Sequence, residues 1–117
     1  MSIRRLQVAA RYSEAVIHNG LVWLSGQLAE DLQGDIRQQT RETLAAIAAR
    51  LAGAGTDPSR LLSVTIYLKD MAADYAAMNE VWDAWVVPGA TPARTTVEAG
   101  LYHPAVRVEI SVVAALP

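Results

Sequence analysis

The chain has 117 residues, 52% of them hydrophobic, and 12 acidic against 10 basic side chains leave a formal charge of −2. That length supports one core with much of its surface wet, and a mean hydropathy of +0.18 predicts apolar surface covered by another chain, hence an oligomer. Scattered arginines without a basic run argue against a nucleic-acid partner, no segment approaches the roughly 20 apolar residues of a membrane span, and the lack of cysteine removes disulfides and thiolate chemistry.

Patterned segments follow one another without linker or repeat, so a single domain over residues 1–117 is expected. Residues 15–18 and 21–25 are β-prone runs joined by Asn19-Gly20, a pair that tolerates positive φ at both turn positions, and they predict a hairpin. Over 35–54, Ile36, Leu44, Ile47 and Leu51, with Thr40 and Ala48 between them, recur at helical spacing. Asp35 is the expected N-cap, and Gly53 and Gly55 mark the end. Leu62, Val64, Ile66 and Leu68 alternate with Ser63, Thr65 and Tyr67, which predicts a half-buried strand closed by Lys69-Asp70.

A second helix follows, with Asp74 as its expected cap, Tyr75, Met78, Trp82 and Trp85 along one face, and Pro88-Gly89 as its stop. Strands over 93–98 and 106–113 complete the chain, the latter alternating Val106, Val108, Ile110 and Val112 with Arg107, Glu109 and Ser111. The order β-β-α-β-α-β-β predicts an α+β fold in which two helices cover one face of a mixed sheet.

If each strand turns its most apolar set to the helices, the other face collects Trp23, Ser25, Ser63, Thr65, Tyr67, Arg94, Thr96, Arg107, Glu109 and Ser111. Hydroxyls, aromatics and arginine without lysine suit a subunit interface containing a polar pocket. On this reading Arg94 and Glu109 share a face and converge if their strands pair, either as a functional couple or as an ordinary cross-strand ion pair. Asn79, beside Met78 at the margin of the apolar stripe, either serves that pocket or satisfies loop backbone.

Other chemistries find little footing. His18 and His103 are far apart without a patterned acid nearby, so no metal site is expected. Ser25 lacks the flanking glycines of a nucleophile elbow and reads as a hydrogen-bonding group. Lys69, the single lysine, ends a strand beside Asp70, which disfavours Schiff-base chemistry, and there is no glycine-rich phosphate loop. A secretory leader pattern is missing too, which leads to a cytoplasmic expectation.

The chain resembles the RidA/YjgF family of reactive intermediate deaminases over nearly its full length. The resemblance rests on RYSEAV (11–16), WLSGQ (23–27), YLKD (67–70), MNEVW (78–82), PARTTV (92–97) and VEISVVA (108–114). It implies a chorismate-mutase-like fold assembled as a homotrimer, with sites in clefts between subunits. It also implies hydrolysis of 2-imino acids, tautomers of 2-aminoacrylates, to 2-keto acids and ammonia without a cofactor. By resemblance Arg94 grips the substrate carboxylate, Glu109 positions or activates water, and Tyr12, Ser25, Asn79 and Thr96 line the pocket. Thr96 stands where the family often has cysteine and Arg11 where many members have proline. The segment 78–87 is closest to the YoaB-like branch. The alternative is a non-enzymatic trimeric binding or sensor protein for small carboxylates or keto acids, to which a second acid at Glu109 would contribute only repulsion.

Overall fold

Asn19 and Gly20 take up positive φ, 53° and 79°, and close β2 (Ser13–His18) on β3 (Leu21–Leu24). The computed structural model describes residues 2–117. A further strand, β1 (Arg4–Val8), pairs antiparallel with β2 and was not expected, which makes the order β-β-β-α-β-α-β-β. Only Leu6 in it is even half-buried, so the two-residue alternation that betrays a strand in sequence is missing.

Helix α1 (Ile36–Gly53) begins as expected, with Asp35 accepting the Gln38 N–H, and buries Leu44, Ile47 and Leu51. β4 (Leu61–Leu68) starts one residue early, and a bulge between Leu61 and Ser63 puts Leu61 into the core and turns Leu62 outward. α2 (Met71–Trp85) is capped by Asp70, not Asp74; Asp70 accepts the Ala73 N–H at 3.0 Å. Asp74 instead lies one turn into the helix, 2% exposed, and receives Arg107 Nε at 3.2 Å and Nη2 at 2.8 Å. The carboxylate is buried because it is doubly bonded to a cation from the far end of the chain. β5 (Ala93–Glu98) stands as expected, whereas β6 runs over Val108–Ala115, beginning beyond the buried Val106.

The strands form one mixed sheet in the order β1-β2-β3-β6-β4-β5, β5 lying parallel to β4 and every other pair antiparallel. The crossover between the parallel strands is α2 itself. The molecule measures 44 × 37 × 20 Å, and its short axis matches one sheet plus one layer of helices. The second sheet face is therefore open.

Register sorts the residues between the faces. Val64, Ile66 and Leu68 pair with Val112, Ile110 and Val108 and, on the other side, with Arg94, Thr96 and Glu98. Paired residues share a face. Arg94 and Thr96 therefore lie on the helix side, while Glu109, paired with Tyr67, lies on the open side with Trp23, Ser63, Thr65 and Ser111. The expectation that Arg94 and Glu109 share a face is overturned, and Arg107 also leaves the open face for Asp74.

Candidate functional site

Arg94 is a cation on the helix side of the sheet, tolerated there because β5 is an edge strand at the margin of the helix layer. Three residues of α2 receive it. Its Nη1 donates to Asn79 Oδ1 at 2.8 Å, its Nη2 reaches the Tyr75 hydroxyl at 3.5 Å, and its guanidinium carbon lies 5.3 Å from the centroid of the Trp82 ring. Tyr75, Asn79 and Trp82 are spaced four and three residues apart, which puts them on one stripe of the helix. The stripe thus fixes the plane of the guanidinium and leaves donors of the fork for a ligand. In front of it is a depression of about 660 Å³ lined by Met71, Ala72, Tyr75, Ala76, Arg94 and Thr96.

Glu109 faces a different depression, of about 540 Å³, with Tyr12, Ser25, Gly26, Glu14 and Tyr102 in its wall. The segment after β3 forms its floor, because Gln27 exchanges backbone hydrogen bonds with Ile110, at 2.8 and 3.1 Å, and so lays residues 25–27 alongside Glu109. The buried Gln27 side chain donates to Glu14 Oε2 at 3.1 Å and to the Ser25 carbonyl at 3.0 Å, and Arg50 Nε lies 3.0 Å from the same Glu14 oxygen. Within this half-site Glu14 has a countercharge.

The six expected site residues accordingly divide into two sets within a protomer: Arg94, Asn79 and Thr96 in one, Glu109, Tyr12 and Ser25 in the other. Each set contains a hydroxyl that is buried yet has no hydrogen-bond partner in the protomer, Thr96 Oγ1 in the first and Ser25 Oγ in the second. Buried polar atoms normally find partners. Among the described residues no three His, Cys, Asp or Glu side chains gather into a metal-binding set.

A family model described as Endoribonuclease L-PSP matches residues 2–116. Over 116 residues the chain is 47% identical to the RutC family protein YoaB of Escherichia coli strain K12, an alignment covering 99% of this chain and all of that protein. The chain belongs to the YjgF/RidA family. Its sequence places it in the YoaB-like branch. A YjgF-family protein of Neisseria meningitidis superposes with a TM-score of 0.96 at 49% identity, covering all of this chain and 97% of that one. Another family member, from Mycobacterium tuberculosis, gives 0.87 at 27% identity over 98% of this chain and the whole of that one.

In the sequence of this YjgF/RidA chain Tyr75 and Trp82 stand out only as part of one face of the second helix, although with Asn79 they form an i, i+4, i+7 stripe toward Arg94. Gly26, Glu14, Gln27, Arg50 and Tyr102 were also missed as members of the Glu109 half-site. Their proximity depends on the bridge between Gln27 and Ile110, for which no local pattern exists.

Proposed function

We propose that the protein hydrolyses 2-imino acids to 2-keto acids and ammonia at sites completed between copies of the chain, with the Arg94 half from one protomer and the Glu109 half from the next. The observation that carries this reading is the pair of half-sites, each with groups suited to one part of the reaction and each with a buried hydroxyl lacking a partner in its own protomer. A contact joining two different patches propagates head to tail and forms a ring where its rotation closes, and the family resemblance implies a ring of three.

Arg94, held by Asn79 and Trp82, takes the substrate carboxylate through its planar fork, in charge-assisted bonds worth about 1.5–3 kcal/mol each. That fixes the imine carbon over the opposite half-site. Glu109 accepts a proton from water as the oxygen attacks that carbon, and the C=N π pair moves to nitrogen. That proton passes from Glu109 to the nitrogen, the proton of the new hydroxyl follows it by way of the same carboxylate, and as the C–N bond breaks ammonia departs and the carbonyl forms. Such proton transfer contributes about 10²- to 10⁴-fold. An imine carbon is electrophilic enough that the chain's own residues supply every group used in this scheme.

A ribonuclease role, as the family model's description suggests for its members, has less support here. The formal charge is −2, and Arg37, Arg50 and Arg107 are occupied by carboxylates. Binding of a keto acid without turnover would instead favour the carrier or sensor.

The test is complementation. Arg94→Ala and Glu109→Gln each abolish hydrolysis of 2-iminopropanoate, generated by an amino-acid oxidase and followed by semicarbazide trapping. When the two variants are unfolded together at equal concentration and refolded, random assembly places an intact Arg94 half against an intact Glu109 half at about a quarter of the interfaces. Recovery of about a quarter of the wild-type rate supports the composite site. No recovery rejects it, because a site built within one protomer stays broken in every chain.

A further inference from the structure

We propose that Gly26 is a positioning residue, the seat on which the Glu109 carboxylate rests, and that its missing side chain sets where that carboxylate points. The proposal builds on the reading of Glu109 as the group that handles water. A Cβ placed on Gly26 would overlap Glu109 Oε2 and would come within 2.8 Å of the carboxyl carbon and 3.0 Å of Cγ. Real Cβ atoms do not approach other atoms so closely, so the carboxylate and a side chain at position 26 exclude one another.

The usual reason for a glycine does not apply. Gly20, Gly55 and Gly89 have φ between 78° and 89°, where other residues are strained, but Gly26 is not among the positive-φ positions. Its backbone admits any L-residue. What the position requires is space, and the three atoms nearest that space all belong to the end of Glu109.

The surroundings decide which party yields. Gly26 lies between Ser25 and Gln27, whose amide bonds the Ser25 carbonyl and Glu14, while the Gln27 backbone is bonded in both directions to Ile110. Arg50 holds Glu14 from α1. The segment beneath Glu109 is therefore tied on both sides of the glycine, whereas the glutamate end rotates about χ2 and χ3 at little cost. An added methyl group moves the carboxylate and leaves the fold intact.

Gly26→Ala is expected to keep the wild-type melting temperature and assembly, to keep KM within about threefold because Arg94 is untouched, and to lower kcat about 10²-fold, as for a reacting group misplaced by about 1 Å. Glu109→Asp, shorter by one methylene, withdraws the carboxylate from the methyl group. The double variant Gly26→Ala/Glu109→Asp is accordingly expected to be less impaired than the product of the two single effects, a coupling that general loosening of the fold would not generate. Wild-type kcat in Gly26→Ala, or strictly multiplicative effects, overturns the proposal.

A readout independent of turnover separates this inference from the proposed function. The Glu109 carboxyl ¹³C resonance, assigned by its disappearance in Glu109→Gln, is expected to move in Gly26→Ala. An unmoved resonance removes the seat even if the wild type hydrolyses imines. A moved resonance in a protein without hydrolase activity retains the seat and removes the proposed reaction.

Discussion

Asn79 turns its side-chain carbonyl to Arg94 at 2.8 Å, and Trp82 supports the guanidinium from the same helix stripe, so the cation is oriented before any ligand arrives. Removing the amide leaves the stacking but lets the fork rotate. Asn79→Ala is therefore expected to weaken binding of the product analogue 2-oxobutanoate about tenfold by isothermal titration, just under the 1.5–3 kcal/mol of one charge-assisted bond, and to raise KM more than it lowers kcat. Unchanged affinity would show that Arg94 is oriented without Asn79. The sequence made Arg94 conspicuous but misplaced it by one face, and the reason lies in the composition of its strand. Ala93, Thr95 and Val97 look like the inward set, yet on this edge strand they occupy the open face, with Val97 37% exposed, while the polar alternates line the margin of the helix layer. The face of Glu109 is legible in the sequence because β6 is a central strand whose valines and Ile110 leave no choice.

The elements were most legible where short-range chemistry fixes them, as at the Asn19-Gly20 turn and the Asp35 cap, and least where a partner from elsewhere decides, as with Asp74 and the unpatterned β1. Two of the caps, with Glu42, also contribute to the response to acid. The Gln38 N–H holds the Asp35 carboxyl below its ordinary value of 3.8, with Arg41 and Arg37 adding to the effect. The Ser59 hydroxyl and then the Ser59 N–H do the same for Asp57, and the Asp31 N–H followed by the Gln38 amide holds Glu42 below 4.5. Each group is thus more acidic folded than unfolded, so its contribution is complete above the ordinary value and is lost as pH falls through the folded one. Melting temperature is expected to be level from pH 7 to about 5 and to decline below about 4. Asp35→Asn, which keeps an acceptor at the cap but cannot titrate, is expected to decline less steeply; a curve parallel to wild type would show that the cap adds nothing to the acid transition.

At the scale of the whole molecule, the decisive feature is a slab 20 Å thick with helices on one side and a bare sheet on the other. Across the middle of the bare side runs the row Val16, Trp23, Val113, Ser63 and Ala93, then the row Ser111, Thr65 and Thr95, and beyond that the row Glu109, Tyr67 and Val97. Trp23 is 39% exposed, and no lysine stands in any of these rows. Such a surface favours cover by further copies, and the same cover would bring the Glu109 half of one protomer to the Arg94 half of the next. Assembly and activity then share one cause and should fail together. Trp23→Glu places a charge in the centre of the central row, where covering it without a partner is unfavourable, while leaving both half-sites chemically intact within the protomer. The expected result is a wild-type circular dichroism spectrum, a light-scattering mass that falls to that of the 12.6 kDa chain, and loss of imine hydrolysis. A monomeric variant that still turns over substrate would show that one protomer suffices, and the division of Arg94 from Glu109 would then need closing by motion within the chain, against a sheet whose register sets them on opposite faces.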